Sequence, residues 1–204
     1  MQNIIELIST GHLKAIAWAL QKGKQSNLRV EDTFGLQSQE EAVKSVQNDM
    51  MALNKILCSS FAKYGVNTQV HVPHYIFSGT GMNFEGDIKN TFSSHRMQER
   101  KLDITFGDVV PCRDERKFGI LSGDDLIYRI ATEVTDVTRV VFAIKGVDGL
   151  LECPPKTGIP QKLIPTWKEG EPFKGEHNSS VDVTGGIFLK LQRSAQIVAK
   201  KNIK

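Results

Sequence analysis

Apolar positions along this chain recur at two spacings, about every third or fourth residue and every second residue, and segments of the two kinds alternate. The clearest helical stretch runs from Glu40 to Tyr64, where Val43, Val46, Met50, Leu53, Leu57 and Phe61 share one face and Gly65 supplies the stop. Val66 to Val72 alternates and predicts a strand ending before Pro73. Upstream, Asn3 to Ile8 predicts a short strand. Leu13, Ile16, Ala17 and Leu20 predict a helix stopped at Gly23, and Lys22 to Phe34 predicts a loop.

Phe77 to Asn90 is glycine-rich and predicts a hairpin or excursion. Ile104 to Val110 and Phe118 to Leu121 are strand candidates. Leu126, Ile127, Ile130, Ala131 and Val134 define the buried face of the next helix. Arg139 to Ile144 is a continuous apolar run, the pattern of a central parallel strand covered on both faces. Cys153 to Ser180 is rich in proline and glycine and predicts a loop or irregular hairpin. The last element is a helix with Ile187, Leu191, Ala195 and Val198 on one face.

Strands alternating with helices predict an α/β fold with a mostly parallel open sheet. Ligands of such sheets sit outside the carboxyl ends of the strands. Three polar turns occupy such places: Ser122-Gly123-Asp124-Asp125, Val147-Asp148-Gly149, and Asp182-Val183-Thr184-Gly185-Gly186. The first reads as an N-cap with acidic residues against the helix dipole, or as a glycine that admits a phosphate beside an aspartate that orients a lysine or metal ion. Both can hold at once. The third is more specific, because two consecutive glycines at a helix start each cost about 1 kcal/mol against alanine, and a close ligand gives a reason for them. Lys190 lies one turn further and can reach back toward a phosphate.

Composition narrows the field without choosing within it. The 204 residues are 40% hydrophobic and 24% charged, which fits one globular domain spanning 1–204. A formal charge of +3 without a basic stripe argues against nucleic acid as partner. No apolar run reaches membrane-span length, and Met1 to Thr10 lacks a signal-peptide pattern, so the expectation is a cytoplasmic protein with no membrane partner. Cys58, Cys112 and Cys153 have no metal or redox spacing and read as incidental thiols. His71, His74, His95 and His177 show no ligand spacing, so no metal cage is assigned. Gly170 and Gly175 have Walker A spacing but are followed by Glu176-His177, and Gly79-Thr80-Gly81 lacks the third glycine of a dinucleotide loop.

The series Phe106-Gly107-Asp108-Val109, Gly119 to Asp125, Val147-Asp148-Gly149 and Asp182 to Gly186 with Lys190 resembles the amino acid kinase superfamily, and within it archaeal-type isopentenyl phosphate kinase. Gly11-His12-Leu13-Lys14-Ala15 is similar to that family's Gly-His segment. Val46 to Asn54 is similar to its long helix, with Gln47 where a histidine is common. The resemblance implies a three-layer αβα sandwich and transfer of phosphate from ATP with Mg2+ to a small-molecule phosphate acceptor, in a homodimer. It further implies that His12 binds the acceptor phosphate and that Gly107, Asp108, Ser122 and Gly123 line the acceptor site. Asp124 would organise the catalytic lysines. Asp148 and Gly149 would border the nucleotide with Asp182, Thr184, Gly185 and Gly186, and Lys190 would neutralise the transferring phosphoryl group.

Against that family the sequence lacks the opening strand with its Gly-Gly-Ser turn and lysine, and the closing strands. Glu6 to Thr10 stands where the family has a glycine triplet, and Lys145-Gly146 where Thr-Asp often precedes Val-Asp-Gly. The expected fold is therefore incomplete at both termini. Two alternatives stay open. One is an impaired or truncated homologue that binds phosphate ligands or needs a partner chain. The other is a same-fold kinase with another acceptor, such as a phosphonate.

Overall fold

The computed structural model describes residues 33–92, 101–142, 147–153, 162–171 and 186–201. Helix α1 spans Thr33–Ala62. Its apolar stripe packs as the periodicity predicts, with Val46 and Met50 buried and Val43 and Leu53 against them. The helix begins at Thr33 rather than Glu40. Once a turn is nucleated each added residue gains a hydrogen bond, so a helix propagates into a polar stretch that shows no periodicity. Gly65, at φ +71, ends the segment in the left-handed region that glycine tolerates.

Strand β1 (Thr68–Val70) leads through two short helices, α2 (Pro73–Ile76) and α3 (Ile88–Phe92), to β2 (Leu102–Ile104). β1 and β2 pair in parallel, Thr68 with Leu102 and Val70 with Ile104. Strands β3 (Asp108–Pro111) and β4 (Phe118–Leu121) form an antiparallel hairpin with Asp108 opposite Leu121. The single strand predicted over Ile104 to Val110 is thus two. Ile104 ends a pairing with β1, Asp108 starts one with β4, and residues 105–107 turn between the two partners.

Alternation along β3 divides the core. Val109 packs with Val46 and Met50 of α1. Val110, on the opposite face, packs with Phe77, Phe84, Ile88, Leu121 and Leu126. The hairpin therefore lies between helical layers, and the fold class is α/β. Helix α4 (Gly123–Glu133) follows β4 directly, and α5 (Gly186–Lys201) packs on α4. The glycine-rich excursion closes through Ser78 and Glu85, whose backbones exchange two hydrogen bonds. Arg129 of α4 anchors it by donating to the Phe84 and Gly86 carbonyls while stacking on the Phe84 ring.

Two expectations are corrected. Arg139 to Phe142 belongs to no strand, and Val141 is 76% exposed. An apolar run makes a central strand only where neighbours offer a ladder, and no described strand pairs with it; residues 143–146 lie outside the described part. The buried stripe of α5 is also rotated from the predicted one: Arg193 and Ile197 are buried while Val198 is 51% exposed. The acidic start of α4 faces α5, so that helix turns its cations inward. Where a loop or irregular hairpin is expected from Cys153 onward, an isolated antiparallel bridge joins Leu151 to Leu163. The elements predicted between Asn3 and Gly23 lie outside the described residues. Among the described residues no helix is long and apolar enough to cross a membrane.

Candidate active site

The site is assembled where β2 and β4 end. After the fully buried Leu121, Ser122 takes an extended conformation and its Oγ accepts a hydrogen bond of 3.2 Å from the Asp124 N–H. That N-cap starts α4 and satisfies one of its free donors. Asp124 and Asp125 consequently fall in the first turn, where negative charge complements the helix dipole, yet both are buried.

Buried carboxylates need partners, and α5 supplies one for each. Lys190 Nζ donates to Asp124 Oδ2 at 3.0 Å. Arg193 Nε donates to Asp125 Oδ1 at 2.8 Å. The two pairs differ in access. Both side chains of the Arg193 pair are below one-tenth exposed, whereas the Lys190 side chain is 32% exposed beside a 9% exposed Asp124. The first pair is closed, and the second leaves an ammonium open on one side. Burial pushes the Asp124 carboxyl above the usual carboxylate range, and the nearby Lys190 opposes that shift without cancelling it.

Beside this pair lies a cavity of about 240 Å3. Its walls are apolar, with Met50 and Leu53 from α1, Phe106 from the β2–β3 link and Leu126 and Ile127 from α4; Gly107, Gly123 and Asp124 also border it. A Cβ on Gly123 would meet the Gly107 nitrogen at 3.8 Å, an ordinary contact. Its φ is not in the left-handed region either, so the fold gives no reason for glycine there. A ligand approaching the backbone gives one. The ion pair ties the first turn of α4 to the second turn of α5. A largely apolar cavity bordered by two glycines, the start of α4 and Asp124, whose partner Lys190 is partly open to solvent, suits an anion with a short apolar tail.

The expected residues separate as follows. Gly107, Ser122, Gly123, Asp124 and Lys190 are brought together. Asp108 adjoins Gly107, but its carboxylate accepts from the Val109 N–H and from His74, whose Nδ1 lies 2.6 Å away. Burial raises its pKa against the pull of His74. Asp148 and Gly149 lie in a bend packed on the Leu163 hairpin and do not line the cavity. Gly186 opens α5. His12, Asp182, Thr184 and Gly185 lie outside the described residues. Among the described residues no three His, Cys, Asp or Glu side chains converge as a metal cage.

Sequence reasoning missed Arg193 and His74. Arg193 stands three residues after Lys190 on one helical face, where the two cations meet the adjacent acids Asp124 and Asp125. His71 and His74 both serve carboxylates, those of Asp103 and Asp108. Gln47 donates through Nε2 to the Val109 carbonyl at 2.8 Å, tying α1 to β3.

The architecture is α/β, with the β3–β4 hairpin between helical layers. Among solved structures, the chain is similar to one described as "X-ray structures of isopentenyl phosphate kinase", with a TM-score of 0.65 and 21% sequence identity over 85% of this chain and 63% of that chain. The chain therefore spans less than two thirds of the length of that protein. No protein-family model and no curated protein matches the sequence. The likeness establishes the fold.

Proposed function

We propose that this chain is a phosphotransferase that moves the terminal phosphoryl group of ATP onto the phosphate of a small monophosphate ester, with isopentenyl phosphate as the acceptor type and isopentenyl diphosphate as product. The observation that carries the reading is the Lys190–Asp124 pair at the edge of an apolar cavity bounded by Gly107 and Gly123. In the reaction an acceptor phosphate oxygen forms the new P–O bond as the bond between the γ-phosphorus and its bridging oxygen breaks, and ADP leaves.

Positioning and charge compensation supply most of such catalysis. Lys190 neutralises charge on the transferring group, and Asp124 fixes where the ammonium sits. The backbones at Gly107, Ser122 and Gly123 admit the acceptor phosphate, with His12 as a further ligand to it. The apolar walls take the tail and exclude water. Gly186 at the start of α5, together with Asp182, Thr184 and Gly185 that precede it in sequence, would hold nucleotide phosphates, with Asp148 and Gly149 bordering the nucleotide. The donor set fits phosphate rather than a protein-held metal, so Mg2+ would arrive on the ATP phosphates and reduce their charge.

Phosphorus NMR of the chain with Mg-ATP and isopentenyl phosphate tests this. The reading expects ADP and a new diphosphate to grow together. ADP formed without the diphosphate, or no change at all, counts against it.

A further inference from the structure

We propose that the tail of the natural acceptor carries a hydroxyl group recognised by Thr105 and Asn54. This rests on the phosphotransfer reading above for calling the ligand an acceptor, and goes beyond it in naming a polar group on the tail.

Both residues line the cavity, whose remaining side chains are apolar apart from Asp124 at its edge, Thr105 from the link after β2 and Asn54 from α1. The Thr105 Oγ1 is buried and has no hydrogen-bond partner among the described residues. Valine has the same shape and would leave no hydroxyl unsatisfied, so the hydroxyl has a cost without a structural return. Asn54 is 7% exposed. Its Oδ1 is approached by the Cys58 thiol at 3.9 Å, a weak donor, and its amide nitrogen makes no bond to a described residue. Two polar side chains with unused capacity thus sit on one apolar cavity.

A purely hydrocarbon tail would expel water, leaving the Thr105 hydroxyl unpaired and Asn54 with the weak Cys58 donor alone. A tail hydroxyl donates one hydrogen bond and accepts others, which matches what the carboxamide and the threonine can offer. Rotation about the Thr105 Cα–Cβ bond exchanges its methyl and hydroxyl positions, so one side chain can present either to a ligand. The competing account is an ordered water that satisfies the two residues.

The test uses two acceptors with the same five-carbon skeleton, isopentenyl phosphate and 3-hydroxy-3-methylbutyl phosphate. Calorimetry on the full chain gives their affinities, and coupled assays with Mg-ATP give kcat/KM. The expected result is a preference of at least about tenfold for the hydroxylated compound, since sites built to bond a hydroxyl discriminate against analogues lacking it. Thr105→Val is expected to abolish or invert that preference, and Thr105→Ser to keep it. Equal affinities, a preference for isopentenyl phosphate, or a Thr105→Val variant that weakens both ligands alike would overturn the inference in favour of a bound water. The wild-type comparison decides even if a variant fails to fold. Turnover of isopentenyl phosphate without preference sinks this inference and keeps the phosphotransfer reading. Preferential binding without turnover does the reverse, and binding of neither compound overturns both.

Discussion

Lys190 Nζ lies 3.0 Å from Asp124 Oδ2, joining the second turn of α5 to the first turn of α4 across 66 positions of sequence. The carboxylate is buried and the ammonium partly open, so the aspartate fixes where the lysine's charge is presented. Asp124→Asn keeps the shape and removes the charge that orients the lysine. Misplacement of a catalytic group by about 1 Å can cost about 10²-fold. Steady-state kinetics on the variant are expected to show kcat reduced by about that factor with a much smaller change in acceptor KM. A loss confined to KM would contradict the role given to the pair.

Gly123 separates a requirement of the fold from one of the ligand. A methyl group at this position meets nothing closer than 3.8 Å, so Gly123→Ala is expected to fold and to gain up to about 1 kcal/mol in helix propensity. In the proposed reaction the same methyl group would stand where the acceptor phosphate approaches the backbone. Thermal melts should show an unchanged or higher midpoint, while acceptor KM rises at least about tenfold, because only the ligand needs the space. An unchanged KM would remove the glycine from the site.

The Arg193–Asp125 pair is closed to solvent and holds α5 on α4. Arg193→Met leaves a buried carboxylate alone and is expected to destabilise the chain by about 3–5 kcal/mol, whereas the double variant with Asp125→Leu recovers most of the loss. Urea denaturation of the two variants checks this. A double variant as unstable as the single one would show that packing, rather than the stranded charge, sets the cost.

Burial holds the Asp108 and Asp124 carboxyls above their ordinary value of 3.8. A folded pKa above the unfolded one means that the native chain binds the proton more tightly. The stability contributed by each is full below 3.8 and is lost as pH rises through the raised value. Asp87 and Asp114, exposed and held low by Asn90 and Arg116, behave oppositely: their contribution is lost as pH falls through values below 3.8. Denaturation between about pH 4 and 6 should therefore show a flatter decline of stability with pH in Asp108→Asn than in the parent chain. Equal slopes would mean that His74 outweighs burial at Asp108.

Local features of the fold were legible in the sequence because local chemistry determines them. The stripe from Val43 to Leu53, the stop at Gly65, strand β4 and the Ser122 cap each follow from neighbouring residues. Features set by partners distant in sequence were not. The break of one apolar run into β2 and β3 depends on which strands flank it, and Arg139 to Phe142 lacks the ladder its composition suits. The rotation of α5 is decided by two acids more than sixty residues away. Within the site, Asp124 and Lys190 could be named from the motif series. The commitment of Asp108 to His74 could not, since nothing near either residue in the sequence marks the pairing.

The central claim is that the open Lys190–Asp124 pair serves phosphoryl transfer. Its most direct test is the rate of transfer from labelled Mg-ATP to isopentenyl phosphate by the purified chain and by Lys190→Ala, with circular dichroism confirming that both fold. The account predicts turnover in the parent chain and a loss of at least about 10²–10³-fold in kcat in the variant, the scale expected when one charge-stabilising group is removed. Equal rates in the two proteins, or no transfer by a folded parent chain, would contradict it.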